Sequence, residues 1–229
     1  MTPKKGVLYQ LNTRDEEAMP KLPRGYSQQV VEKLLQDHKC ALPFHVVRMR
    51  FLGNIAAPGP SLPPLEMVKS LWVGQLPAVD TIETLNRILE LLIMGLWNDL
   101  TRHQKPSEPI RLTRLSFSEN REGLSRLARI RIEELDGFAD GLFGPDDELD
   151  LPDRAHASMD RLGELRAMFV AVEDVASREV DASGNQIGET LRSVQELTRI
   201  AEKEIHEVVI VCTKARQSGM SSNKKNRMN

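Results

Sequence analysis

The sequence predicts an all-α protein, a helical bundle that ends in a long antiparallel helical hairpin. Apolar residues recur at steps of three and four through most of the chain, which is the period of helices with one buried face. Aromatic residues make up only 4% of the 229 residues, so the apolar content rests mainly on Leu, Ile, Val, Ala and Met. Such a composition favours the packing of helix on helix over β-sheet.

The N-terminal part is interrupted by prolines and mixed charges, and we expect a flexible N-terminal arm over 1–26. Ser27 is a suitable N-cap for a first helix, and Pro43 suits the first turn of a second. A proline-rich loop, AAPGPSLPP, then ends the second helix, because proline removes backbone donors and fixes φ. We expect a short helix to follow over 64–72.

The next predicted helix, over 81–103, is the most apolar long helix of the chain. Asp80 and Glu83 resemble a capping box at its start. Its buried face is expected to contain Ile82, Leu85, Ile88, Leu89, Leu92, Ile93, Leu96, Trp97 and Leu100.

Residues 110–117 partly alternate apolar and polar side chains, which predicts an extended linker or a lone strand. We favour the linker, because no second strand is present in the sequence to pair with it. A further helix begins near Ser118–Asn120 and ends around Gly141–Pro145. These elements form a first helical domain over 27–143.

Two heptad rows predict a long helical hairpin over 152–217. The first row contains Ser158, Leu162, Leu165, Phe169, Val172 and Ala176. The second contains Ile187, Leu191, Val194, Thr198, Ala201, Ile205, Val208, Cys212 and Ala215. The alternative is a homodimeric coiled coil through the 187–215 seam. The polar and basic residues 218–229 predict a disordered tail.

Composition excludes several broad classes of protein. The formal net charge of -2 argues against a protein that binds polyanions over its whole surface. The longest apolar run contains Glu90 and is too short to span a bilayer, and the N-terminus has no apolar secretory core. Cys40 and Cys212 suit a reducing compartment, so we expect a cytoplasmic protein without membrane association.

The sequence gives no convincing chemical site, and we expect no catalytic, cofactor-binding or metal-binding residues. Glu202 and His206 lie at i, i+4 on one helix face, but a metal site needs three or four ligands. The run of five carboxylates in GPDDELDLPD is typical of a solvated loop next to helix N-termini. Cys40 lies near His38 and His45 without the spacing of an activated nucleophile.

Several segments nonetheless resemble a known family. The pieces are Phe51-Leu52-Gly53, Pro58 to Glu66, Leu71-Trp72 and Gly137-Phe138-Ala139-Asp140-Gly141. Together they resemble the YecA/YgfB-like family of bacterial proteins over residues 44–177. In this chain the first Gly and Phe are in reversed order, Met follows Glu66, and the cysteine-rich zinc motif of some relatives is missing. The resemblance implies an all-α fold and no specific activity.

From these observations we expect a non-enzymatic bacterial interaction or regulatory protein that acts through an unidentified protein partner. Loops more often contain functional residues than packed helix faces do, so the expected contact edge is Pro58, Pro60, Pro63 and Trp72. The alternative is a nucleic-acid-associated regulator that uses basic residues of the linker, the following helix and the tail. Its binding residues would be Arg111, Arg114, Arg121, Arg126 and Arg129.

Overall fold

The helices of the chain are arranged as a bundle in a computed structural model, which describes residues 26–59, 61–116, 118–144, 149–178 and 184–226. Within these ranges the regular structure is helical and no strand is present. The prediction of an all-α fold is therefore confirmed. The predicted arm falls outside the described residues except for Tyr26, which is half-buried against the core.

The helices of the first half are α1 (Gln28–Asp37), α2 (Phe44–Ala56), α3 (Pro64–Ser70), α4 (Ile82–Leu89) and α5 (Asn98–Thr101). Those of the second half are α6 (Arg121–Phe143), α7 (Asp153–Ser177) and α8 (Gly184–Asn226). Side chains cap several of them, and the predicted cap at Ser27 is confirmed. Ser27 accepts a hydrogen bond from the backbone N–H of Val30, and Asn120 accepts one from that of Gly123.

The predicted long helix over 81–103 is continuous but changes its geometry. Between α4 and α5, the residues Glu90–Trp97 form a π-helical segment, and Arg102–Gln104 end the helix in a 3₁₀ turn. The cap differs from the prediction, because Thr81 and not Asp80 accepts the hydrogen bond from the backbone N–H of Thr84. The wider i→i+5 hydrogen bonding of the π segment changes the direction of the residues that follow it.

Helices α2 and α6 cross at a very short distance because glycines lie at their contact. A Cβ atom added to Gly141 would lie 1.9 Å from the carbonyl oxygen of Arg50, and one added to Gly53 would lie 2.1 Å from that of Phe138. These glycines belong to two of the segments that resemble the YecA/YgfB-like family. Those segments therefore pack directly against each other.

Helices α7 and α8 form an antiparallel hairpin with their heptad rows facing the core. Arg161 of α7 donates to Glu204 of α8 at 2.7 Å, and Arg154 pairs with Glu207 at 2.6 Å. Along the α8 row, six residues are buried: Leu191, Val194, Ala201, Ile205, Val208 and Cys212. Because the seam is covered within one chain, a homodimer through 187–215 would require the hairpin to open.

The hairpin and the first domain share one hydrophobic core that includes Phe138 of α6, Phe169 of α7 and Val208 of α8. The predicted boundary between 143 and 152 is thus not a break in packing. Helix α8 also extends to Asn226, where the sequence predicted an end near Gln217 followed by a disordered tail. No proline interrupts residues 184–226, and an established helix is extended at little cost per residue.

Candidate functional site

The segment 109–116 between the 3₁₀ turn and α6 is extended and has no partner strand in the described part of the chain. Its backbone N–H and C=O groups form hydrogen bonds with side chains of three helices. Glu202 of α8 accepts from the N–H of Leu112 at 2.9 Å, and Glu134 of α6 accepts from the N–H of Thr113 at 2.7 Å. The preference for an extended linker over a strand agrees with this geometry.

Two arginines donate to carbonyl groups of the same segment. Arg131 of α6 reaches the carbonyl of Thr113 at 2.8 Å, and Arg48 of α2 reaches that of Arg111 at 2.7 Å. The Arg111 side chain turns outward and pairs with Glu202 at 2.7 Å. A segment without secondary structure is thereby fixed in one position along the surface of α8.

A groove runs between this segment and α8, and we call it the arginine groove. It consists of two cavities of about 580 and 520 Å³ that share Leu115 and Gln195. Along α8 it extends from Gly188 to Glu202, which corresponds to about 21 Å of helix. Its positive side chains are Arg111, Arg114, Arg131, Arg192 and Arg199.

The arginines of the groove differ in how far their charge is compensated. Arg131 is buried against Glu134, and Arg111 and Arg199 pair with Glu202 and Glu196. Arg114 and Arg192 are exposed and form no ion pair with any carboxylate in the described ranges. These two side chains give the groove uncompensated positive charge, which the exposed carboxylate of Glu119 in the same lining reduces in part.

The five arginines predicted for nucleic-acid binding do not form one patch. Arg111 and Arg114 line the groove, but Arg129 points to α7, where it pairs with Glu173 at 2.7 Å. Arg129 and the groove-facing Arg131 are two residues apart and hence about 200° apart around α6. Arg121 and Arg126 do not line the groove either. These residues are close together in the sequence, but those of α6 point to different sides of the helix.

The predicted contact edge is mostly fixed in the fold. Among its described residues, Pro63 is exposed, whereas Pro58 and Trp72 are half-buried. The Trp72 indole N–H donates to the carbonyl of His38 at 2.8 Å and so joins the ends of α1 and α3. Pro60 lies outside the described residues. The adjacent Val73 is 98% exposed and adopts a left-handed φ of 56°.

The proline-rich loop itself is fixed by a buried amide. The Asn54 side chain donates to the carbonyl of Leu62 at 2.9 Å and accepts from the N–H of Leu62 at 3.0 Å. Arg216 of α8 reaches the carbonyls of Ile55 and Ala57 at the end of α2. The loop is therefore part of the scaffold rather than a separate arm.

A separate cavity of about 400 Å³ lies on the other side of the extended segment from the arginine groove, and we call it the Arg48 pocket. Its wall includes Tyr26, Arg48, Asp99 and Arg102, together with Arg111–Arg114 of the segment. Burial, together with the neighbouring Asp99 carboxylate, raises the pKa of Tyr26 to about 12, so its hydroxyl is protonated. Burial lowers the pKa of the Arg48 guanidinium against the opposing influence of Glu134.

The other sequence candidates for chemistry do not converge. No group of three His, Cys, Asp or Glu residues in the described ranges could bind a metal ion. Glu202 is engaged by the extended segment, and both ring nitrogens of its helical neighbour His206 are buried without a hydrogen-bond partner there. Burial raises the pKa of both thiols, that of Cys212 to about 11, which opposes formation of a nucleophilic thiolate. A further cavity is lined by Phe143, Leu149, Asp150 and His156.

None of the described helices is long and apolar enough to cross a membrane. Comparison of the chain with protein-family models, with characterised proteins and with solved structures finds no match. The resemblance to the YecA/YgfB-like family therefore stays a prediction. The site is defined by its own geometry, and its most distinctive feature is the extended segment between the arginine groove and the Arg48 pocket.

Proposed function

We propose that this is a non-enzymatic interaction or regulatory protein that binds a protein partner in the arginine groove. The observation behind the proposal is a row of exposed arginines along a groove that follows about 21 Å of α8: Arg111, Arg114, Arg192 and Arg199. A groove of this length accepts about six extended residues of a partner. Acidic side chains of the partner would pair with Arg114 and Arg192, which have no carboxylate partner in the described structure.

The apolar lining of the groove favours a peptide over a nucleic acid. Leu112, Leu115, Leu127 and Leu191 line it, and the described lining residues include no aromatic side chain. Proteins that bind single-stranded nucleic acids without sequence preference usually combine positive charge with aromatic rings on which the bases stack. Of these leucines, Leu115 is half-buried and can contact an aliphatic side chain of a peptide, whereas the other three are buried.

The exposed backbone of the segment supports the same conclusion. Residues 114–116 form no hydrogen bond with other described residues through their backbone groups. Their N–H and C=O groups are available to an extended peptide, as they would be at the edge of a sheet. The partner class that fits best is therefore an extended acidic segment with interspersed aliphatic residues.

A charge-reversal experiment tests this proposal. Tagged wild-type protein, Arg114→Glu and Arg126→Glu would be used to purify partners from cells of the source organism, with and without nuclease. Arg126 is a matched control, since it is an exposed arginine of α6 outside the groove. We expect a stoichiometric protein partner that survives nuclease, is lost with Arg114→Glu and is retained with Arg126→Glu. Equal capture by all three proteins would contradict the groove as the binding site.

Nucleic-acid binding is the second candidate, and the arginines that line the groove favour it. It predicts that material captured by the wild-type protein disappears after nuclease treatment. It also predicts that binding weakens steeply with salt, because each neutralised phosphate releases counterions. Binding that survives nuclease and changes little between low and physiological salt would exclude it.

A further inference from the structure

The Arg48 pocket contains more positive charge than its surroundings compensate. Arg48, Arg102 and Arg114 line it, and Asp99 is the only carboxylate among the described lining residues. Asp99 is itself shared, because it pairs with Arg102 at 3.2 Å and also accepts from the Tyr26 hydroxyl. Arg48 and Arg102 are half-buried, and the lining carboxylate near them, Asp99, is already engaged.

Two guanidinium groups of the pocket have unused hydrogen-bonding capacity. Arg48 donates to a neutral partner, the carbonyl of Arg111, and no ion pair joins it to a described carboxylate. The Nε–H of Arg102 is buried and has no hydrogen-bond partner among the described residues. A guanidinium presents its donors in a planar fork that matches the oxygens of phosphate and carboxylate groups.

The local backbone explains why these side chains meet. Asp99 and Arg102 follow directly after the π-helical segment, whose wider hydrogen bonding changes the direction of the residues behind it. The Tyr26 ring packs on this segment, since a Cβ added to Gly95 would lie 2.5 Å from its Cδ2 atom. Segments of π-helix are frequent at functional sites.

The remaining groups of the pocket suit a small organic molecule. Phe44, Leu96 and Leu112 line the pocket with apolar surface, and the oxygen of the Tyr26 hydroxyl, whose proton is donated to Asp99, can accept a further hydrogen bond. His103 donates from Nδ1 to the carbonyl of Glu108 at 2.8 Å. Burial lowers the pKa of His103, so its ring is neutral near pH 7 and adds no further charge. A volume of about 400 Å³ lies in the range of small-molecule sites.

We propose that the Arg48 pocket binds a small phosphate monoester, with Arg48 and Arg102 on the phosphate and the apolar wall around the organic part. A doubly charged phosphate compensates the excess of arginines better than a single carboxylate does. This site shares Arg111–Arg114 of the extended segment with the arginine groove, but Arg48 and Arg102 do not line that groove, so a change of Arg102 tests the pocket alone.

The test is isothermal titration calorimetry of the full chain with phenyl phosphate and with benzoate, at physiological salt. The variants are Arg102→Gln and, as a control, Arg178→Gln. Arg178 is an exposed arginine after α7 that pairs with Asp174 at 3.8 Å. Arg102→Gln is preferred to a change of the more buried Arg48, because it alters a side chain that is 42% exposed. Circular dichroism would establish that both variants keep the helical content of the wild type.

We expect saturable binding of phenyl phosphate, a loss of at least about tenfold in affinity with Arg102→Gln, and no change with Arg178→Gln. Benzoate should bind more weakly than phenyl phosphate. Equal affinities for the two probes would overturn the assignment to phosphate. The absence of saturable binding by the wild type, or an unchanged affinity of folded Arg102→Gln, would overturn the site. Partner capture by Arg102→Gln should equal that of the wild type. A failure of the proposal for the pocket can thereby be distinguished from a failure of the proposal for the groove.

Discussion

Arg131 and Glu134, one turn apart on α6, enclose the backbone of Thr113 in a ring of hydrogen bonds. Glu134 accepts from the N–H of Thr113, Arg131 donates to its carbonyl, and the two side chains pair with each other. Both side chains are at most 6% exposed. The pair therefore satisfies the two backbone groups that a neighbouring strand would otherwise satisfy.

Removing the charge of Glu134 should strongly destabilise the protein. In Glu134→Gln the buried Arg131 loses its counter-charge, and breaking a buried ion pair costs roughly 3–5 kcal/mol. We expect the free energy of unfolding in urea to fall by about 3 kcal/mol or more. The control is Glu196→Gln, which removes an exposed pair with Arg199 and should cost less than about 0.5 kcal/mol. Similar values for the two variants would show that the ring contributes little.

The crossing of α2 and α6 can be tested with two glycine substitutions of opposite expected sign. Gly141→Ala places a methyl group 1.9 Å from the carbonyl oxygen of Arg50, and the helices must move apart. We expect a loss of roughly 1–3 kcal/mol in unfolding free energy. Gly163→Ala in α7 meets no atom within 4 Å and should gain roughly 0.5–1 kcal/mol through helix propensity. A neutral Gly141→Ala variant would contradict the close approach.

The conformation of Val73 predicts a stabilising substitution. A left-handed φ of 56° is unfavourable for a β-branched side chain, and a 98% exposed Val73 has no packing to offset this strain. Asn tolerates the left-handed region, so Val73→Asn should raise the free energy of unfolding by about 1 kcal/mol. Thermal unfolding of Val73→Asn and Val73→Ala would check this, since only Asn relieves the strain. Equal midpoints for the two variants would contradict it.

The buried thiol of Cys212 predicts a loss of stability at alkaline pH. Burial raises its pKa from 9.0 to about 11, so the native state retains this proton where the unfolded state loses it. The stabilising contribution is complete below pH 9 and disappears as the pH rises to about 11. Between pH 8.5 and 10.5, the wild type should lose about 1–2 kcal/mol more than Cys212→Ala in urea unfolding. Identical losses would show that Cys212 is not responsible.

The hairpin and its seam were predictable because they depend on short-range periodicity. The step of three and four along α8 places Leu191, Val194 and Ile205 on one face, and all three are buried. Ser27 was likewise recognisable as a cap from its chemistry alone. Local signals of this kind do not require knowledge of which helices meet.

The groove was not predictable, because it depends on contacts between distant residues. Glu202 stands on a charged helix face, which from sequence alone indicated a solvated side chain, yet it accepts from a backbone N–H 90 residues away. The arginines at 111–131 suggested one patch, and only the rotation of α6 separates Arg129 from Arg131. Arg48 and Arg102 lie in different helices, and no sequence spacing links them. Polar residues between the apolar rows were the signal in the sequence for such contacts. A polar residue does not, however, indicate which distant group it will contact.

The dependence of the extended segment on Glu202 has a consequence for biosynthesis. The chain leaves the ribosome from its N-terminus, and Leu112 is made 90 residues before Glu202. At about 5–20 residues per second, this interval lasts roughly 5–18 s. Throughout it, the carboxylate that accepts from Leu112 does not yet exist. The extended segment between the arginine groove and the Arg48 pocket therefore acquires its full set of hydrogen bonds late in translation, after most of the helices on which it lies have been synthesised.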